Sequence, residues 1–227
     1  AAGGGAGAAG PPGAGAGGDA TSGVAYVTGT SGGLVIGNDV DLIANAQGGA
    51  GGIGGDATGV QAGLSALGDM EIADVSIQVR TLAGAGGDGS LGSATGGNLV
   101  VETGAGVFGS IGSIRVTNLN GDVTSQGDIA TSTPGTADLL VPVGEALFTS
   151  FQVTSAEAQG GQIAPAASRV STGGLVTFLD FAQWQVQGDI EISTTGSGLI
   201  LGGLDPNTPT AALNFLSVNG TITVAGA

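Results

Sequence analysis

The sequence predicts an all-β fold, a parallel β-solenoid of the right-handed β-helix kind with coils of about 37 residues, and three observations carry that expectation. Gly18-Asp19-Ala20-Thr21, Gly55-Asp56-Ala57-Thr58 and Gly92-Ser93-Ala94-Thr95 are near-copies placed 37 residues apart (55−18 and 92−55). Segments of alternating apolar and polar residues beginning at Val40, Ile77, Ile114 and Phe151 keep the same step of 37 (77−40, 114−77 and 151−114). No apolar stripe at helical spacing occurs anywhere, and 49 glycines weaken any helix by about 1 kcal/mol each. A β-sandwich or jelly-roll filament subunit is the alternative architecture.

Residues 1–17 form a Gly/Ala-rich segment without a core-forming pattern, residues 18–154 carry the regular repeats, and 155–227 form less regular coils or a cap. Within the alternating segments, period two marks a strand with one buried face. The inward pairs are expected at Val40/Leu42, Ile77/Val79, Ile114/Val116 and Phe151/Val153, with later relatives at Ile190/Ile192 and Ile222/Val224. Asp41, Gln78, Arg115, Gln152, Glu191 and Thr223 lie between them and point to solvent. Two further short strands are expected in each coil. One runs through Val24–Val27, Leu64, Leu99–Val101, Leu139–Val141 and Leu175–Leu179. The other runs through Leu34–Ile36, Met70–Ile72, Val107–Phe108, Leu147–Phe148 and Trp184–Val186. Gly-Asp or Asn-Gly before Met70, Val123, Ile129, Ile190 and Thr221 opens strands, because these residues tolerate positive φ or accept hydrogen bonds from nearby amides. Six of the eight aromatics fall in the C-terminal half: Phe148, Phe151, Phe178, Phe181, Trp184 and Phe215. They mark a cap, a differently packed subdomain or an assembly surface.

Composition narrows the function. The net charge is −15, from 18 acidic and 3 basic side chains, with no Lys, His or Cys. Arg80, Arg115 and Arg169 cannot neutralise a phosphate backbone or hold an anionic lipid surface, so nucleic acid is not an expected partner. A Ser-His-Asp triad, a thiol nucleophile, a Schiff-base lysine and ordinary zinc sites lack their residues. No apolar run of about 18 residues suits a membrane span, and no leader pattern occurs, as expected if a leader was removed or never belonged to this chain. An acidic, Cys-free and Lys-free chain poor in charge fits an extracellular or cell-surface material.

The glycine loops raise three readings of their own. A phosphate cradle fails, because no strand-loop-helix unit and no Walker lysine accompany the glycines. Calcium is the one cofactor that the loops leave open, with Asp19, Asp56 and Asp88 as candidate ligands supplying hard oxygens. Those loops resemble the G-G-x-G-x-D repeats of RTX-type β-rolls, but Thr21, Thr58 and Ser90 stand where that family has an apolar residue. In the third reading Gly-Asp closes a turn and bonds its own backbone. Asp39/Asp41 and Asp69/Glu71/Asp74 pair carboxylates as acid-base catalysts do, yet without companion aromatics or cations they read as solvated ladder positions.

Gly-Asp-Ile strand starts, Gly/Ala-rich loops, absent Cys and absent Lys together resemble the β-strand-repeat passengers of large bacterial adhesins of the filamentous-haemagglutinin and autotransporter kind. That resemblance implies a secreted or surface-exposed β-helix serving as stalk, fibre or adhesin. The expected function is therefore structural and non-enzymatic, with self-association into a homopolymer and surface polysaccharide as a further partner. A carbohydrate-active or carbohydrate-binding β-helix and a calcium-stabilised module are the alternatives.

Overall fold

The computed structural model describes residues 15–30, 32–87, 89–128, 130–155, 167–195, 198–201, 212–218 and 220–226. The chain coils about five times into a β-solenoid, with stacked parallel strands about 35 residues apart. One sheet of seven strands runs Val24–Gly29, Gln61–Ala66, Asn98–Thr103, Thr136–Val141, Ala167–Thr172, Asp189–Thr194 and Ile222–Gly226. A second sheet stacks the long strands Asp69–Gln78, Ser113–Asp122, Glu145–Thr154 and Leu175–Gln187. Leu34–Ile36 and Val40–Ile43 lie against its first long strand, Gly198–Leu201 and Ala212–Val218 against its last. Two ribbons of two-residue strands close the narrow end of the early coils: Ala20–Thr21, Ala57–Thr58 and Ala94–Thr95, facing Ala46–Gln47, Thr81–Leu82 and Ser125–Gln126.

Each long strand serves two faces because its alternation breaks once. Met70 and Ile72 are buried, the next two residues are not, and burial resumes at Val75 and Ile77. Two successive residues that leave the core turn the chain through a corner, since a regular strand flips sides every residue. The break stacks in register: Ile72, Val116 and Phe148 align before it, and Asp74, Asn118 and Ser150 after it.

This corner overturns the stacking that the common step of 37 between Val40, Ile77, Ile114 and Phe151 implies, one inward ladder through all four. Val40, Ile77, Ile114 and Phe151 do not stack on one another. Ile77 sits between Leu42 and Gly121, Ile114 between Met70 and Ala146, and Phe151 next to Leu119. The step of 37 holds along Ala20, Ala57 and Ala94 and along Ala25, Ala62 and Leu99, where the intervening coils have equal length. Elsewhere small excursions closed by the antiparallel bridges Ala85↔Leu91 and Ala105↔Ile111 lengthen a coil, and inward packing then sets the register. Val107 lies in such an excursion, in a short 3-10 turn and 69% exposed rather than in a strand. Leu175 belongs to the long-strand sheet, and Ala167–Thr172 takes the place expected for it.

The inward residues are otherwise as the alternation predicts. Leu42, Ile77, Val79, Ile114, Val116, Phe151, Val153, Ile190 and Ile192 are buried, while Ile222 and Val224 on the last described strand are exposed. Five of the six late aromatics join one interior stack, and Phe181 alone of the six lies on the outward side of its strand. Phe148, Phe151, Phe178 and Trp184 are fully buried in one interior stack with ring centroids 4.3–5.8 Å apart, and Phe215 continues it 5.1 Å from Trp184. Phe178 and Trp184 fill the core of a coil without a glycine end: Ala167–Thr172 pairs with Asp189–Thr194 after a single long strand, with no two-residue ribbon between.

Candidate functional site

The glycine end is the first place to look for a ligand, and backbone occupies it. Gly17, Gly48, Gly49, Gly54 and Gly55 are buried. Their peptides bond in a zigzag up the axis, each distance being N···O. Gly49 donates to Gly18 (2.7 Å), Gly55 to Gly49 (2.9 Å), Gly84 to Gly55 (2.8 Å), Gly92 to Gly84 (3.0 Å) and Asp128 to Gly92 (2.8 Å). Partners alternate between the two limbs of the narrow end, so both limbs share one hydrogen-bonded column. A methyl group on Gly54 would lie 1.9 Å from the Gly84 carbonyl oxygen, and one on Gly55 2.4 Å from that of Gly18. The corner therefore packs against itself.

The candidate calcium ligands sit on the flank of this column. Asp19 Oδ1 accepts from the Asp56 amide at 2.9 Å, and Asp56 Oδ1 accepts from the Ser93 amide at 2.7 Å, each across 37 residues. The carboxylate bonds the backbone of the next coil, where the sequence reading had it bonding its own turn. Asp88 lies outside the described residues. Among the described residues no group of three or more carboxylate, imidazole or thiol side chains is gathered to hold a metal ion.

The paired carboxylates are divided by the corner of the long strands. Asp69 and Glu71 precede it; Asp69 accepts a hydrogen bond from Ser113 Oγ at 2.7 Å, and Glu71 stands in register with Arg115. Asp74 follows it and joins Asp39 and Asp41 in a different cleft of about 280 Å³, floored by Ser76, Asn118, Asn120, Ser150 and Gln152. Asn118 Nδ2 donates to Asp74 Oδ1 at 2.6 Å. The amide residues escape a sequence search because their convergence depends on the register across three coils. Only their outward parity is visible in the chain.

A second polar cluster lies on the seven-stranded sheet. Asp138, 2% exposed, accepts from the Arg169 amide at 2.9 Å, from Arg169 Nη2 at 2.6 Å and from Asn98 Nδ2 at 3.2 Å. The carboxylate holds the Arg169 guanidinium above its ordinary pKa. Along the same outward column Tyr26 stands opposite Gly63, where a methyl group would lie 1.8 Å from the Val100 carbonyl oxygen. Burial, then the charges of Glu102 and Asp138, push the Tyr26 phenol up to about 12. Charge-assisted bonds from Asp138 tie Arg169 and Asn98 across successive coils, which makes the cluster a staple, although the buried Asn98 Oδ1 has no partner of its own among the described residues. Comparison of the chain with protein-family models, curated proteins and solved structures gave no significant match.

Proposed function

We propose that this chain is a non-enzymatic structural module, a stiff segment or subunit of an extracellular or cell-surface filament, fibre or adhesin stalk joined through β-strand stacking. The observation that carries this reading is the parallel ladder itself. Successive coils hydrogen-bond one another through both large parallel sheets, and among the described residues the first and last strands of the seven-stranded sheet are each paired on one side. Among the described residues, Val24–Gly29 pairs only with Gln61–Ala66 and Ile222–Gly226 only with Asp189–Thr194. Apolar side chains stand exposed on those end coils: Val24 at 54%, Val35 at 76%, Ile222 at 44% and Val224 at 71%. Unpaired edges of this kind template further strands, whether from a second copy or from a longer polypeptide. The acidic surface keeps the sides apart while the ends attract. The test is negative-stain electron microscopy of the purified chain over a concentration series. Filaments of constant width, with one coil per strand spacing of about 4.8 Å, are expected. Discrete globules at every concentration overturn the homopolymer.

A further inference from the structure

We infer that the cleft beside the corner of the long strands is a binding site for a neutral glycan chain lying along the solenoid axis. The inference goes beyond the structural reading and stands independently of it. Two outward columns build the site. One runs Asp74, Asn118, Ser150 and Phe181 in successive coils. The other runs Asp41, Ser76, Asn120, Gln152 and Gln183. Carboxylates, amides and hydroxyls thus recur at the strand spacing of about 4.8 Å, close to the length of one pyranose unit. A glycan laid across the coils meets a pair of polar groups in each of three successive coils, Asp74/Ser76, Asn118/Asn120 and Ser150/Gln152, and then Phe181 beside Gln183.

The chemistry selects the ligand class. Vicinal hydroxyls both donate and accept; carboxylates accept, and side-chain amides do both. A sugar ring also carries an apolar C–H face, which needs an aromatic or aliphatic platform. Phe181 supplies one. It is half-buried on the outward side of its strand, next to Ser150 in register, while its neighbours Phe178 and Trp184 point inward and are fully buried. Asp39 and Asp41 close the other end of the cleft. The two ion pairs of the described residues, Arg80–Asp122 and Arg169–Asp138, lie outside it, so no cation there offsets the carboxylates. A chain of net charge −15 therefore repels uronate, sulfated and phosphorylated polymers from this site and admits uncharged ones.

Calorimetric titration of the whole chain with cello-oligosaccharides and N-acetylglucosamine oligomers of two to six units tests the site. Oligogalacturonates of the same lengths serve as the charged comparison. Saturable binding of a neutral series that tightens with length up to about four units, one per coil of the polar columns, is expected. Asn120→Ala, Gln152→Ala and Phe181→Ala should each weaken it about tenfold, and Gln152→Ala, an outward change, should leave the melting temperature unaltered. No saturable binding of either neutral series, equal affinity in all three variants, or tighter binding of the galacturonates overturns the inference. Filament formation in the electron microscope is read separately, so either idea can fail alone.

Discussion

A glycine in the narrow end of this molecule acts by what it lacks. Gly54, Gly55, Gly84 and Gly92 bring peptide planes of two limbs within hydrogen-bonding reach, and any Cβ would lie inside the van der Waals radius of a carbonyl group. Replacing Gly55 by alanine should cost about 3 kcal/mol by overpacking. The same change at Gly32, where a methyl group meets nothing within 4 Å, should be neutral or slightly stabilising. Urea unfolding followed by circular dichroism separates the two. Tyr26 supplies a second test at this scale. An unfolded phenol ionises near 10, and burial has raised this one to about 12. The fold favours the neutral form, so the contribution is complete below about pH 10 and is lost as pH rises towards 12. Two units correspond to about 2.7 kcal/mol; the ring is half-exposed, and solvent screening reduces this to about 1 kcal/mol. Alkaline melts should show that loss, and Tyr26→Phe should abolish it. As the one tyrosine of the chain, its phenolate absorbance reports the titration directly.

At the scale of elements, the core changes its material from one end to the other. Early coils are narrowed by backbone packing at glycine, and later ones are filled by a stack of rings. Phe151 lies edge-on to Phe148 at 4.9 Å and stacks on Trp184 at 4.3 Å, tying neighbouring coils together. Phe151→Ala should destabilise the protein by about 3–5 kcal/mol, from lost burial and the cavity left behind. Trp184, the single tryptophan and fully buried, reads the event without a label. Its emission should be blue-shifted in the parent chain, and its midpoint of urea unfolding should fall in the variant. An unchanged midpoint would mean that the aromatic stack does not join the coils energetically.

Over the whole molecule the charge is one-sided, with 18 acids against 3 arginines. The folded coil holds these charges closer than the unfolded chain does, so self-repulsion opposes folding and salt relieves it. Raising sodium chloride from about 10 mM to about 1 M shortens the screening length from about 30 Å to about 3 Å. The melting temperature should rise across that range. A fall would place the weight on the Arg80–Asp122 and Arg169–Asp138 pairs instead, since those are what salt weakens.

The sequence alone determined the class of fold, the glycine corner with its step of 37, and which side of most strands is buried. Period two and the Gly-Asp-Ala-Thr repeats are local properties, written in adjacent residues. Only the tertiary structure decided which strand lies on which. Ile114 stacks on Met70 and Ala146 rather than on Ile77, because excursions of unequal length change the coil and each corner resets the parity. The same reason hid the cleft. Asp41, Asp74, Asn118, Asn120 and Gln152 come from four segments and converge only through register. Phe181, one more late aromatic in the sequence, faces outward because its strand carries an extra residue at the corner, between the pairings Phe148↔Phe178 and Ser150↔Phe181. Asp19 and Asp56 were legible as corner residues, but their bonds cross to the next coil, and no local pattern records that a neighbour lies one turn above.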